Sequence, residues 1–282
     1  MVKIISDSTC DLSKELTDRY NVDILPLHII LGEKEYEDGV DIAPEDIYKW
    51  SDENNTTPHT SASSLERAME TFKPYIDKGD DIIAFVISET MSTSGNVCRL
   101  AAEELNASDR IHVVDSKNLS TGIGHLVIEA AILAEGGKSA DEILGIINAL
   151  IPKVRASFVV DTLTYLHRGG RCSGLAAMAG AMLKLHPRIE VSDGRMNPGK
   201  KYRGKIDSVI MDYTRDMEEA LKRAKPDRVF ITHSGCDEKI VDEVRSYLKS
   251  LNRFEEVLET RAGGVVSSHC GPGTLGVLFI EE

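Results

Sequence analysis

The chain has no apolar run near the roughly 18 residues that a membrane-spanning helix needs. Its most apolar stretch, residues 174–183, is too short. Positive charge is also in deficit: 33 Lys and Arg stand against 46 Asp and Glu, a net charge of −13. Nucleic-acid binding is not expected, because it needs a positive field to replace phosphate counterions. The same balance argues against docking on anionic lipid. Cysteine is scarce, with five residues and no C-x-x-C pair. That predicts neither disulfides nor structural zinc, and a reducing compartment. No Gly-Lys-Ser/Thr ending marks a nucleotide loop, and no G-x-S-x-G marks a nucleophile elbow. The opening MVKIISDST reads as a strand and not as a signal peptide, so a cytoplasmic protein without stable membrane insertion is expected.

What is present is ordinary globular composition, 282 residues with 41% apolar and 28% charged. At roughly 100–200 residues per domain, this length predicts two domains. The pattern predicts strands at 2–5, 24–31, 82–87 and 111–114, with helices after them. Asp11 is expected to open a helix through about Tyr20. Residues 51–64 read as a loop, and residues 119–133 carry apolar positions close to a 3.6 period. Alternating strands and helices imply a mostly parallel sheet covered on both faces. A boundary is expected near residue 154, giving domains at 1–154 and 155–282. The second half predicts a mixed sheet, because Asp193-Gly194 is a hairpin signal. Long helices are expected at about 206–224 and 237–251, and a Gly- and Ser-rich stretch precedes the last strand.

In open sheets of this kind, ligands bind beyond the carboxyl ends of the strands. Hydroxyl clusters gather at such ends here. Thr60-Ser61-Ala62-Ser63-Ser64 leads into a helix, and so does Ser92-Thr93-Ser94-Gly95. Either cluster serves as a cap or as an anion cradle. His269 stands beside Gly271-Pro272-Gly273, a turn that lets backbone approach a ligand closely. A histidine there suits a general base, a carboxylate's partner or a purely structural role. No second ligand lies at metal-site spacing. Arg168-Gly169-Gly170-Arg171 reads as a helix C-cap or as an arginine aimed at a phosphate or a partner. Five basic residues between Arg195 and Lys205 form a solvated hairpin or a docking patch for an anionic partner. The segment Ser173–Leu185 is expected to be a buried, small-residue helix.

In order and spacing, these pieces resemble the DegV family of bacterial fatty-acid-binding proteins. The matching segments are SDSTCDL at 6–12, LPLHI at 25–29, TSASS at 60–64 and SETMS at 88–92. VVDS at 113–116, DTLTYLHRGGR at 161–171 and HCGPGTLG at 269–276 complete the set. The resemblance implies two α/β domains with a long-chain fatty acid in an apolar tunnel between them. It implies that Thr60, Ser92 and His269 hold the carboxylate, with Ser61 and Gly271 assisting. Arg171 would face an ATP-dependent kinase partner or the acyl-phosphate. The chain would then be a lipid-binding carrier with no catalytic residue, metal or cofactor of its own. Two departures bear on the contacts: Ala62-Ser63 stands where the family has Gln-Pro, and Thr93 where it has Gly. Ser94-Gly95 is therefore an alternative to Ser92. The competing readings are a hydrolase or phosphotransferase using Ser92 and His269, or a lipid-sensing regulatory module.

Overall fold

The computed structural model describes residues 1–172 and 185–282, so the expected helix at Ser173–Leu185 lies largely outside the described residues. The first half opens with β1 (Val2–Asp7) and α1 (Lys14–Arg19), followed by β2 (Asp23–Leu25), β3 (His28–Leu31) and β4 (Lys34–Glu37). It continues with α2 (Pro44–Asn54), β5 (His59–Ser61), α3 (Leu65–Ile76), β6 (Asp81–Val86) and α4 (Ser94–Glu104). β7 (Ile111–Asp115), α5 (Thr121–Glu135) and α6 (Ala140–Leu150) close it. Strands β2-β1-β6-β7 form a parallel sheet. Its central strands are apolar on both faces, as strands covered on both sides must be. Ile82, Ala84 and Val86 face α3 and α4, while Ile83 and Phe85 face α5 and α6.

Three local expectations change. The strand expected at 24–31 divides, because Pro26 has no N–H to continue the ladder. Beyond it β3 leaves the parallel sheet and forms a small antiparallel sheet, β4-β3-β5. The expected loop at 51–64 therefore contains the end of α2 and the strand β5. Asp11 does not open α1; Ser13 caps that helix, accepting from Leu16 N–H at 3.3 Å. Asp11 instead lies in the left-handed region, φ 52°.

The second half runs through β8 (Val154–Val159), α7 (Thr164–Gly169), β9 (Leu185–Ser192), β10 (Arg195–Arg203), α8 (Ile206–Asp216) and α9 (Glu218–Leu221). It ends with β11 (Arg228–His233), α10 (Glu238–Ser250), β12 (Glu256–Arg261), α11 (Gly264–Cys270) and β13 (Leu275–Ile280). The sheet order is β10-β9-β8-β13-β11-β12, antiparallel except for β11 against β12. The expected helix over 206–224 breaks at Met217, and the Gly- and Ser-rich stretch contains α11. The mixed sheet is again two-faced. Val159, Val229, Ile231 and Val277 pack on α8 and α10. Ala156, Phe230 and Leu278 meet Leu16 and Ile128 from the first half.

The molecule is thus a two-domain α/β fold in which α5 lies between the two sheets. The 3.6 pattern marks one apolar face of that helix, yet Thr121–Ile128 are buried throughout. The reason is that β8 and β13 cover the side that β1 does not. His125 is buried there and its Nε2 meets the Leu278 carbonyl at 3.0 Å. No helix among the described residues is long and apolar enough to cross a membrane.

Candidate functional site

Thr60 and His269 meet across 209 residues of sequence. The Thr60 Oγ1 to His269 Nε2 distance is 2.8 Å. Thr60 sits on β5, which pairs with β3 in the register Ile29 to Thr60. Capping of α3 falls to Ser64, whose hydroxyl accepts from Arg67 N–H at 3.1 Å. That leaves the hydroxyl of Thr60 available to the site. His269 is carried on the last turn of α11.

The pair lies at a cavity of about 50 Å³ between the domains. Thr60, Ser61, Ser92, Arg171 and His269 all line it, with Met91, Leu119, Met196 and Val266 as apolar wall. A second cavity of about 20 Å³ adjoins it at Leu119, Val266 and Cys270, which line both spaces; its other walls include Phe158, Ala262 and Leu278 together with Ser120, Thr232, His233, Ser234 and Thr274.

Ser92 occupies the turn before α4. Its Oγ lies 2.9 Å from Ser94 Oγ and accepts the Ser94 N–H at 3.3 Å. Ser94 is buried beneath Ser92, while Ser92 reaches the cavity. Arg171 donates to the Gly169 carbonyl at 2.8 Å and reaches the Met91 carbonyl at 3.5 Å. Gly170 closes α7 in the left-handed region, φ 68°, so the C-cap reading of the Gly pair applies as well. Gly271 caps α11 at φ 75°. A Cβ there would come 2.5 Å from the Tyr165 ring, so its lack of a side chain serves packing against Tyr165.

Burial, reinforced by the Arg171 guanidinium, pushes the His269 imidazole down to about 4, so the ring is neutral at pH 7. Its Nδ1 is buried without a hydrogen-bond partner among the described residues. Gly169 backs directly onto that atom: a Cβ on Gly169 would fall 2.2 Å from Nδ1. A buried bare acceptor costs less than a buried bare N–H. The favoured tautomer therefore carries its proton on Nε2, donated to Thr60 Oγ1, and the Thr60 O–H is free to donate onward.

Several residues that build this site carry no local signal in the sequence. Met91 and Met196 line it from the two halves. Asp11 and Asp38 hold the helix that carries His269. The Asp11 carboxylate accepts from Gly263 N–H at 2.8 Å, and that of Asp38 accepts from Gly264 N–H at 2.6 Å. The local signal at Asp11 suggested a helix start, and nothing near it in sequence pointed to residue 263. No group of three or more His, Cys, Asp or Glu among the described residues is arranged to hold a metal ion.

A family model described as an uncharacterised protein of the DegV family matches residues 1–282. A DegV domain-containing protein of Clostridium acetobutylicum is 33% identical over 283 residues, covering 100% of this chain and 99% of the relative. Among solved structures, a DegV family protein from Thermus thermophilus, described by its fatty acid binding, superposes with a TM-score of 0.91. It is 30% identical, and the match covers 100% of this chain and 99% of that one. A stearic acid-binding protein from Eubacterium ventriosum superposes with a TM-score of 0.86 at 29% identity, covering 100% and 98%.

Proposed function

The chain belongs to the DegV family, and from that premise we propose that it binds a long-chain fatty acid and presents the carboxyl group to a separate ATP-dependent kinase. The observation that carries this reading is the Thr60–His269 pair at a cavity walled by Met91, Leu119, Met196 and Val266. A carboxylate leaving water needs several donors to offset its desolvation. Thr60 O–H supplies one, with the imidazole holding its oxygen in place. Ser92 supplies a second, and the positive charge of Arg171 lowers the energy of an anion at the mouth. Fatty acid binding by the Thermus thermophilus and Eubacterium ventriosum relatives supports the ligand class.

The tail would run past Leu119 and Val266 into the adjoining cavity. Each methylene buried there contributes about 0.8 kcal/mol.

Delivery to a kinase is supported by the sequence, which has no nucleotide loop, so a partner must supply ATP. Arg171 is exposed at the mouth, where such a partner would meet the carboxyl group. A serine hydrolase is the weaker reading. His269 spends Nε2 on Thr60, and its Nδ1 faces Gly169 with no carboxylate.

Mass spectrometry of lipid extracted from the purified chain should recover a long-chain acid. Thr60→Ala and His269→Ala should each weaken binding by about 1.5–3 kcal/mol, the size of a hydrogen bond to a charged group, or roughly tenfold to a hundredfold in Kd. Acyl-phosphate should form only when loaded protein, kinase and ATP are combined. Empty protein with esterase turnover that depends on Ser92 would sink the proposal.

A further inference from the structure

His269 meets Thr60 only if α11, which carries it, is held against the sheet that carries Thr60. α11 has seven residues, and the residue before it, Gly263, has no side chain to cap it. The open N–H groups of a helix start must find acceptors when buried. Here the acceptors come from the other domain. Asp11 Oδ1 takes Gly263 N–H at 2.8 Å, and Asp38 Oδ1 takes Gly264 N–H at 2.6 Å. Both aspartates are buried, 5% and 3% exposed, too far inside to serve solvent or a surface partner.

Each acceptor is itself held. Asp11 Oδ2 is hydrogen-bonded to Ser120 Oγ at 2.6 Å, at the start of α5. Asp38 Oδ2 accepts from Ser8 Oγ at 2.8 Å, and that hydroxyl accepts Leu27 N–H at 3.2 Å. Asp38 N–H donates to the Leu27 carbonyl at 2.8 Å, which ties its loop to the segment entering β3. The fit between helix and sheet is tight. A Cβ on Gly264 would meet Ile29 Cδ1 at 2.5 Å and Asp38 Oδ1 at 3.0 Å. Ile29 is the residue paired with Thr60 across β3 and β5. The start of α11 therefore rests on the cross-strand partner of Thr60, and its end carries the imidazole that Thr60 meets.

We propose that Asp11 and Asp38 are positioning residues for the carboxylate site, acting through α11 to set the distance between His269 and Thr60. They touch no ligand. This is more than capping of a short helix, because the caps belong to the domain that supplies Thr60 and Ser92, while the helix belongs to the domain that supplies His269. The proposal rests on the fatty-acid reading for its ligand measurement, but not for its structural one.

The test uses full-length, delipidated protein and palmitic acid as the probe. Asp11→Ala and Asp38→Ala remove the acceptors, whereas Asp11→Asn and Asp38→Asn keep an oxygen for the glycine N–H. The alanine variants should bind palmitate at least tenfold more weakly in calorimetric titration. They should also move the His269 imidazole ¹⁵N resonances, read without ligand. The asparagine variants should restore affinity to within about threefold. If the alanine variants do not fold, Ser8→Ala, which withdraws one support from Asp38, should still shift the His269 resonances. Alanine variants or Ser8→Ala with wild-type affinity and unmoved His269 signals would overturn the proposal. Wild-type protein that binds no palmitate would overturn the fatty-acid reading instead, and the ligand-free resonances would still decide the role of the aspartates.

Discussion

Gly169 is a glycine whose missing side chain is replaced by another residue's ring. It ends α7 with ordinary helical backbone, so alanine is tolerated conformationally and even preferred by helix propensity, by about 1 kcal/mol. What it does not tolerate is the Cβ, which would sit 2.2 Å from His269 Nδ1. Gly169→Ala should therefore displace the imidazole from Thr60 and weaken palmitate binding at least tenfold, with a smaller effect on urea stability. An affinity within twofold of wild type would show that the ring has room to move. Thr60, Ser92, Arg171 and His269 were legible in the sequence because their segments resemble known ones, and all four line one cavity. Gly169 was legible only as part of a C-cap motif. Its contact with residue 269 has no local signature.

The β9–β10 hairpin shows what a local signal can carry. Asp193 and Gly194 are both left-handed, at φ 50° and 77°, as the two-residue turn signalled by Asp-Gly requires. The turn also does something its sequence does not announce. The Gly194 carbonyl accepts from Ser88 Oγ at 2.7 Å and from Thr90 Oγ1, so the loop after β6 clasps the hairpin tip across the domain interface. Gly194→Ala should cost about 1–2 kcal/mol for the left-handed backbone. The cost should grow because its Cβ would lie 2.5 Å from Ser88 Oγ. Urea denaturation reads this directly, and no loss of stability would mean the clasp opens freely. β10 itself is an edge strand with Arg195, Lys201 and Arg203 exposed. Charged side chains on an edge discourage pairing with another chain, which gives this basic run a physical role whether or not a partner docks there.

At the scale of the whole molecule, the interface between the domains buries titratable groups, and burial drives most of them toward their neutral forms. Burial, with Asp38 and Asp7 nearby, raises Asp11 to about 8, and burial raises Asp7 to about 6. The same cause lowers His125 and His269 to about 4. Above about pH 7.5 these histidines are neutral whether the chain is folded or not, and Asp7 is ionised in both states. Asp11 alone of the four still holds a proton in the folded state that it loses on unfolding, so its contribution to stability falls as pH rises, by up to about 1.4 kcal/mol per unit. Denaturant titrations from about pH 7.5 to 8.5 should show this decline, and Asp11→Asn should flatten it. A slope unchanged in that variant would mean that another group carries the proton.

Alternating strands and helices, the Asp-Gly hairpin and the hydroxyl clusters at strand ends were determined by the sequence alone, because each depends on residues a few positions apart. The division at Pro26 belongs with them in principle, since the missing N–H is local, although the small sheet it creates is not. Tertiary structure decided the rest. α5 is buried on every side because two sheets, each needing cover for an apolar face, share it. Thr60 meets His269 because carboxylates from residues 11 and 38 hold the start of the helix that carries it. Such pairings join groups more than 200 positions apart. They arise from packing two domains against each other, where every buried donor must find an acceptor, and no periodicity along the chain records which one it finds.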